Sequence, residues 1–288
     1  MNSSRSTTKI LNLSCESDAQ PNLNGTSDEK RLEQNTGHSK SYEDTFDLSP
    51  NQYVQHKFFF SRILATMLFV VALPIIGMAI ILIRVSSRGK GIFKQQRVGL
   101  NGKCFTLYKI RTMTVNAEKE TGPIWSPRED HRITKVGKIL RSSHIDELPQ
   151  LWNVITGDMT LIGPRPERPV IAQKLSMQIP GYMNRFKIRP GITGLAQINL
   201  PPDESIFCVQ RKLLLDRQYA EKSNINLDLR IYLCTLVRFL GIRSTTITKL
   251  LGVFVDPQIL NNFFDRIEPD RSNSAKDNFT RPRINLPR

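Results

Sequence analysis

Asp146 and Glu147 stand side by side in the stretch Arg141–Pro166, RSSHIDELPQLWNVITGDMTLIGPRP, with Arg141 before them and Arg165 after, between Pro164 and Pro166. Two carboxylates among arginines suit the handling of a phosphate ester, because a guanidinium presents a planar fork to phosphate oxygens. Each flanking proline fixes its own φ near −65°, so the loop that carries Arg165 has little conformational entropy left to lose. Neighbouring residues on a turn or helix do not face one another, so the carboxylates read as having different tasks rather than sharing one proton. A solvated acidic helix start and a plain surface turn are the bland alternatives for the two features taken singly.

The elements that must hold these residues follow from local signals. Pro149 suits the first turn of a helix through Leu151, Trp152, Val154 and Ile155, and Gly157 ends it. Ile133–Ser143 has apolar residues at helical spacing beside Lys135, Lys138 and Arg141, which predicts an amphipathic interfacial helix. Upstream, VGLNGKCFTLYKI alternates around Asn101-Gly102, a β-hairpin signal. Its strands would bring Arg97, Lys109 and Arg111 toward one region, where each could bind substrate or hold lipid headgroups. LLLDRQYAEK places Asp216 on a helix, and Leu227–Leu240 reads as a further interfacial helix.

Residues 63–83, ILATMLFVVALPIIGMAIILI, are uncharged and apolar over 21 positions. At ~1.5 Å per residue this is about 31 Å, the thickness of a bilayer's hydrocarbon core. Pro74 falls in its middle and favours a break there. Basic residues flank both ends, Lys57 and Arg62 on one side and Arg84, Arg88, Lys90 and Lys94 on the other, which suits a re-entrant helical hairpin with both ends in the cytoplasm. A kinked single-pass helix is the alternative.

Residues 1–52 carry 5 Lys/Arg against 8 Asp/Glu, so the overall net charge of +15 becomes +18 for the remainder. That polar segment reads as a disordered arm, and so does the tail from 265 to 288. A basic body points to nucleic acid or an anionic membrane surface, and the apolar segment favours the membrane. Cys15, Cys104, Cys208 and Cys234 have no metal spacing and fit reduced thiols. No Walker A loop, GxGxxG fingerprint or GxSxG elbow is present.

FKQQRVG (Phe93–Gly99), FTLYKIRTM (Phe105–Met113), ITKVGKILR (Ile133–Arg141), DELPQLWNVITGDMTLIGPRP (Asp146–Pro166) and RPGITGLAQIN (Arg189–Asn199) together resemble the bacterial sugar transferases, the monotopic polyprenyl-phosphate phosphoglycosyl transferases. The order and spacing of these segments cover most of residues 55–245. The resemblance implies a helix-rich α+β fold: a re-entrant helix-break-helix (53–90) followed by a cytosolic catalytic domain (91–264) with a β-hairpin and interfacial helices. It also implies transfer of a sugar 1-phosphate from a UDP-sugar to polyprenyl (undecaprenyl) phosphate at the cytosolic face of the inner membrane, releasing UMP and initiating exopolysaccharide or related glycan assembly.

In that scheme Asp146 is the nucleophile. Glu147 is a metal partner or handles the acceptor, and Mg²⁺ bridges donor phosphates to a carboxylate of the pair. Arg97, Lys109, Arg111, Arg141, Arg165 and Asp216 form the substrate-binding set, with membrane phospholipid as a further contact and homodimer formation left open. The chain departs from the family at Leu73, where a serine precedes the proline, at Phe58 and Ser61, where a basic and an acidic residue are usual, and at His144, where a small hydroxyl residue is common. A catalytically inactive membrane-anchored basic scaffold would need the apolar segment and the charge but not Asp146. A nucleic-acid binder would have no use for the apolar segment.

Overall fold

The computed structural model describes residues 48, 50–117, 130–239 and 244–267. The fold is helix-rich α+β. The long apolar segment forms α1 (Gln52–Ser86). Asn51 caps its start by accepting from the Val54 N–H at 3.1 Å, while its own amide donates to the Ser223 carbonyl at 2.7 Å. A strand pair follows, β1 (Ile92–Val98) antiparallel to β2 (Cys104–Ile110), turning through Asn101 at φ 53°. Pairing of Phe93 with Lys109 and of Arg97 with Phe105 sets Arg97 and Lys109 on one face.

Helix α2 (Lys135–Ser142) is capped by Thr134, and α3 (Gln150–Thr156) opens after Pro149 and ends at Gly157 with φ 97°. Strand β3 (Thr160–Ile162) then runs parallel to β4 (Gly191–Thr193), with α4 (Pro169–Gln178) between them in sequence. Here the two glycine-bearing motifs meet: a Cβ on Gly191 would lie 2.0 Å from the Gly163 nitrogen, so only glycine admits the approach. The remaining elements are α5 (Leu195–Asn199), α6 (Ile206–Lys222), α7 (Ile225–Phe239), α8 (Ser244–Leu250) and α9 (Pro257–Ile267).

Pro74 lies inside α1 without ending it, so the expected break is absent from the helix assignment. Residues on both sides of the proline pack on the same body. Ala65, Ala72 and Ile76 join the cluster of Leu151, Val154 and Leu161, whereas Ala79 and Ile83 join Ile110 and Leu140. The opposite face is bare: Phe60, Met67, Val70, Met78 and Ile81 are all exposed. Among the described residues α1 is the one helix long and apolar enough to cross a membrane. The expected tail from 265 starts too early, since α9 continues to Ile267. The rest of that tail, the arm up to residue 47 and Trp125 lie outside the described residues. Cys208 and Cys234 are free, but Cys104 is disulfide-bonded, against the expectation of reduced thiols.

A buried ion pair ties the start of α1 to α7. Lys57 donates to Asp228 at 3.1 Å, to the Ile162 carbonyl at 2.7 Å and to the Tyr219 hydroxyl, while Tyr53 and Tyr219 both donate to Asp228. Removing one partner leaves an uncompensated buried charge. Lys57→Met is expected to cost about 3–5 kcal/mol, seen as a lower thermal midpoint in detergent. Asp228→Asn added to it should cost much less than it does alone, because the two share one network.

Candidate active site

A cavity of about 1550 Å³ opens where β2, α2, α3, the Pro164–Pro166 loop and α7 converge on α1. Its walls differ in kind. Leu68, Val71, Ala72 and Ile75 of α1 give one apolar side, whereas Lys109, Arg141, Asp146, Glu147 and Arg165 give a charged one.

The carboxylate pair sits on a single 3-10 turn, Ile145–Glu147, between α2 and α3. His144 enters that turn at φ 55°, a left-handed conformation uncommon for a non-glycine residue, and also lines the cavity. Glu147 is committed: Lys109 donates to its Oε1 at 2.7 Å and Arg165 at 2.8 Å. Burial alone would raise the Glu147 carboxyl, but Arg165 and Lys109 outweigh it and hold the group well below the ordinary range. Asp146 is different. It is 7% exposed and makes no side-chain hydrogen bond or ion pair among the described residues. Burial pushes its carboxyl up to about 6, with Lys109 opposing the rise and Glu147 adding to it. The adjacent acids are therefore electrically distinct, as expected of groups with different tasks.

Arg141 donates through Nε to Thr112 at 2.8 Å and makes no ion pair among the described residues, while its charge is felt at Asp146. The sequence-expected set is thus assembled in one place for Asp146, Glu147, Lys109, Arg141 and Arg165. Arg97, Arg111 and Asp216 also border the cavity, but their bonds go elsewhere. Arg111 donates to Ser87 and to the Arg88 carbonyl, closing the C-terminal end of α1. Arg97 binds the Pro166 carbonyl at 2.9 Å and Gln95 at 2.6 Å. Asp216 accepts from Arg185 at 3.0 Å, and burial pushes its carboxyl up to about 6 against that arginine. Sequence reasoning missed Arg185, which lies in the polar-aromatic run YMNRFK and carries no motif signal of its own.

Among the described residues no three His, Cys, Asp or Glu side chains are grouped to cage a metal ion. Mg²⁺, however, commonly takes one or two carboxylates with substrate phosphates completing its shell, and the Asp146–Glu147 pair on the cavity wall fits that mode.

This arrangement sets cations around one committed and one uncommitted carboxylate beside an apolar wall, and guanidinium and ammonium groups so placed suit phosphate oxygens. Residues 52–241 match the family model described as bacterial sugar transferase, and the chain belongs to that family. Helices α8 and α9 lie beyond the match. A Bacillus subtilis protein named provisionally as an undecaprenyl-phosphate N-acetylgalactosaminyl 1-phosphate transferase is 49% identical over 116 residues, 40% of this chain and 64% of that one. A UDP-glucose:undecaprenyl-phosphate glucose-1-phosphate transferase of Caulobacter vibrioides is 40% identical, covering 57% of this chain and 61% of its own length. One of the same name from Klebsiella pneumoniae is 37% identical over 61% of this chain but only 38% of its own length. The chain therefore spans less than two thirds of these relatives.

The unlike states of the two acids give opposite expectations. A carboxyl raised in the folded state loses stability as pH climbs through about 6, so Asp146→Asn should raise the thermal midpoint at pH 7.5 by roughly 3–6 °C, with a smaller gain at pH 5. Glu147→Gln strands Lys109 and Arg165 and should lower the midpoint at pH 7.5. Melting curves of both variants at the two pH values check the pair.

Proposed function

We propose that the protein transfers a sugar 1-phosphate from a UDP-sugar to polyprenyl phosphate, with undecaprenyl phosphate as the carrier. The observation that carries this reading is the uncommitted Asp146 carboxylate beside Lys109, Arg141 and Arg165. In the first step an Asp146 oxygen attacks the sugar-bearing phosphorus and the bond to UMP breaks, leaving a phosphosugar-aspartyl intermediate. In the second, a phosphate oxygen of the polyprenyl carrier attacks the same phosphorus and Asp146 departs as carboxylate. Covalent catalysis divides one hard displacement into two easier ones.

Arg165, Lys109 and Arg141 stabilise charge that grows on the phosphate oxygens. Glu147 keeps Lys109 and Arg165 in register, and the low state of its carboxyl makes it a poor proton donor. Mg²⁺ bound with the donor would supply charge neutralisation of the diphosphate, with Asp146 and Glu147 as its protein carboxylates. Burial of Asp146 keeps the nucleophile poorly solvated, and the names of the relatives agree with the donor and acceptor classes.

The apolar wall on α1 suits the polyprenyl chain. Packing of both halves of α1 on one body suits a re-entrant path, with the catalytic domain on the cytosolic face of the inner membrane and phospholipid around the exposed face of α1. The product would begin exopolysaccharide or related glycan assembly.

Two measurements test these statements. Purified protein with Mg²⁺ and undecaprenyl phosphate should release UMP from one member of a UDP-sugar panel, and Asp146→Asn should lower that rate by at least about 10³-fold. Absence of UMP from every donor, with folded membrane-bound protein, would leave the scaffold reading standing. For topology, single cysteines at Gln55 and Lys90 should both react with an impermeant maleimide in inside-out vesicles and neither in spheroplasts. Reaction of one of them in spheroplasts would show a single pass.

A further inference from the structure

The loop that carries Arg165 poses a hydrogen-bonding problem. Pro164 and Pro166 have no N–H, and the loop belongs to no sheet beyond Ile162, yet its part-buried carbonyls need donors. Each has one, and each comes from a different place. The Gly191 N–H donates to Pro164 at 2.8 Å, Arg185 to Arg165 at 3.1 Å, Arg97 to Pro166 at 2.9 Å and the Val98 N–H to Glu167 at 2.8 Å.

The two side-chain donors are themselves held. Arg185 is 7% exposed, bonds Asp216 at 3.0 Å and the Tyr182 hydroxyl at 2.9 Å, and lies over the rings of Tyr182 and Phe186. Arg97 bonds Gln95 and pairs with Glu167 at 3.4 Å. One Nη nitrogen of each reaches a carbonyl of the loop, while the Arg165 side chain is 46% exposed and reaches Glu147.

We propose that Arg185, oriented by Asp216, and Arg97, oriented by Glu167, are positioning residues that act on the donor's diphosphate only through Arg165, by gripping the two consecutive carbonyls of its loop. This rests on the reading that Arg165 contacts that diphosphate. It separates these residues from Lys109 and Arg141, which face the reacting phosphates themselves. A fixed loop loses no entropy when Arg165 takes up its ligand, so the contribution is preorganisation rather than an added contact. Arg185→Lys keeps the charge but replaces two separate Nη nitrogens, one on Tyr182 and one on Asp216 and the Arg165 carbonyl, by a single nitrogen on a differently shaped side chain, so the fixed spacing of those contacts is lost.

The test is a double-mutant cycle read by calorimetric binding of UDP with Mg²⁺ to the full-length protein in detergent. Arg185→Lys should weaken UDP binding by on the order of tenfold when Arg165 is present. In the Arg165→Ala background the same change should alter binding less than about twofold, since what it positions is gone. Equal losses in both backgrounds would overturn the inference, because a direct phosphate ligand or a general folding defect acts whether or not Arg165 is there.

Hydrogen exchange of peptides spanning residues 161–168 gives a second reading if Arg165→Ala binds UDP too weakly to measure. Arg185→Lys and Asp216→Asn should both speed exchange there and leave α3 unchanged; unchanged exchange in the loop would overturn the inference. Failure of the wild type to bind UDP would instead remove the donor reading, and this inference with it, which is distinct from binding that is intact but insensitive to Arg185.

Discussion

Glu147 accepts two cations on one oxygen, and much of the site depends on that sharing. Lys109 arrives from β2 and Arg165 from the loop after β3, so the carboxylate joins two elements that have no strand pairing with each other. Were those cations free to turn to Asp146, they would solvate it, lower its pKa and occupy its oxygens. Because Glu147 takes them, Asp146 remains a poorly solvated acid with positive charge close by but not bonded to it. The same chemical group is thereby given two unlike states at neighbouring positions, through partners rather than through residue type.

Holding that division requires a stiff frame, and glycine and proline supply it. Gly163 and Gly191 approach so closely that no side chain fits, which brings the loop of Arg165 onto the turn after Pro190. The prolines then narrow the loop's own freedom and create the demand for outside donors that Arg185 and Arg97 meet. A charged network behind the loop, Arg185 with Asp216 and Arg97 with Glu167, is thus explained by backbone chemistry before any substrate is considered. Buried ion pairs of this kind are weak sources of net stability, since desolvation offsets most of their attraction. Their value lies in fixing one geometry.

Much of this was legible in the sequence where the signal is local. Asn101-Gly102 marked the hairpin, Pro149 and Gly157 bounded α3, and the acids and arginines of 141–166 marked residues that line one cavity. The long-range contacts were not legible, and for one cause. Arg111 caps α1, Arg97 holds a carbonyl and Asp216 holds Arg185, and in each case the residue type agreed with substrate binding while the partner lay far along the chain. Lys57 looked like a flanking membrane anchor, yet its carboxylate partner, Asp228, is 171 positions away. Spacing motifs record which groups a turn brings together; they carry no record of long-range pairing. Pro74 shows the complementary error, for the local cost of a missing hydrogen bond did not end the helix.

The mixed lining of the cavity follows from where α1 runs. A helix packed on its own domain through small residues, Ala65, Ala72 and Ala79, keeps large apolar side chains on its outer face and turns Leu68, Val71 and Ile75 toward the cavity. Small residues bring the helix close enough for those side chains to form a wall within the same cavity as Asp146. A soluble diphosphate and a prenyl chain differ so much in solvation that neither environment alone admits both. Only a cavity with one side continuous with the lipid-facing surface and the other built of paired charge lets them meet at one carboxylate without either crossing an unfavourable medium. In the proposed reaction, the placement of α1 therefore matters to catalysis as well as to attachment.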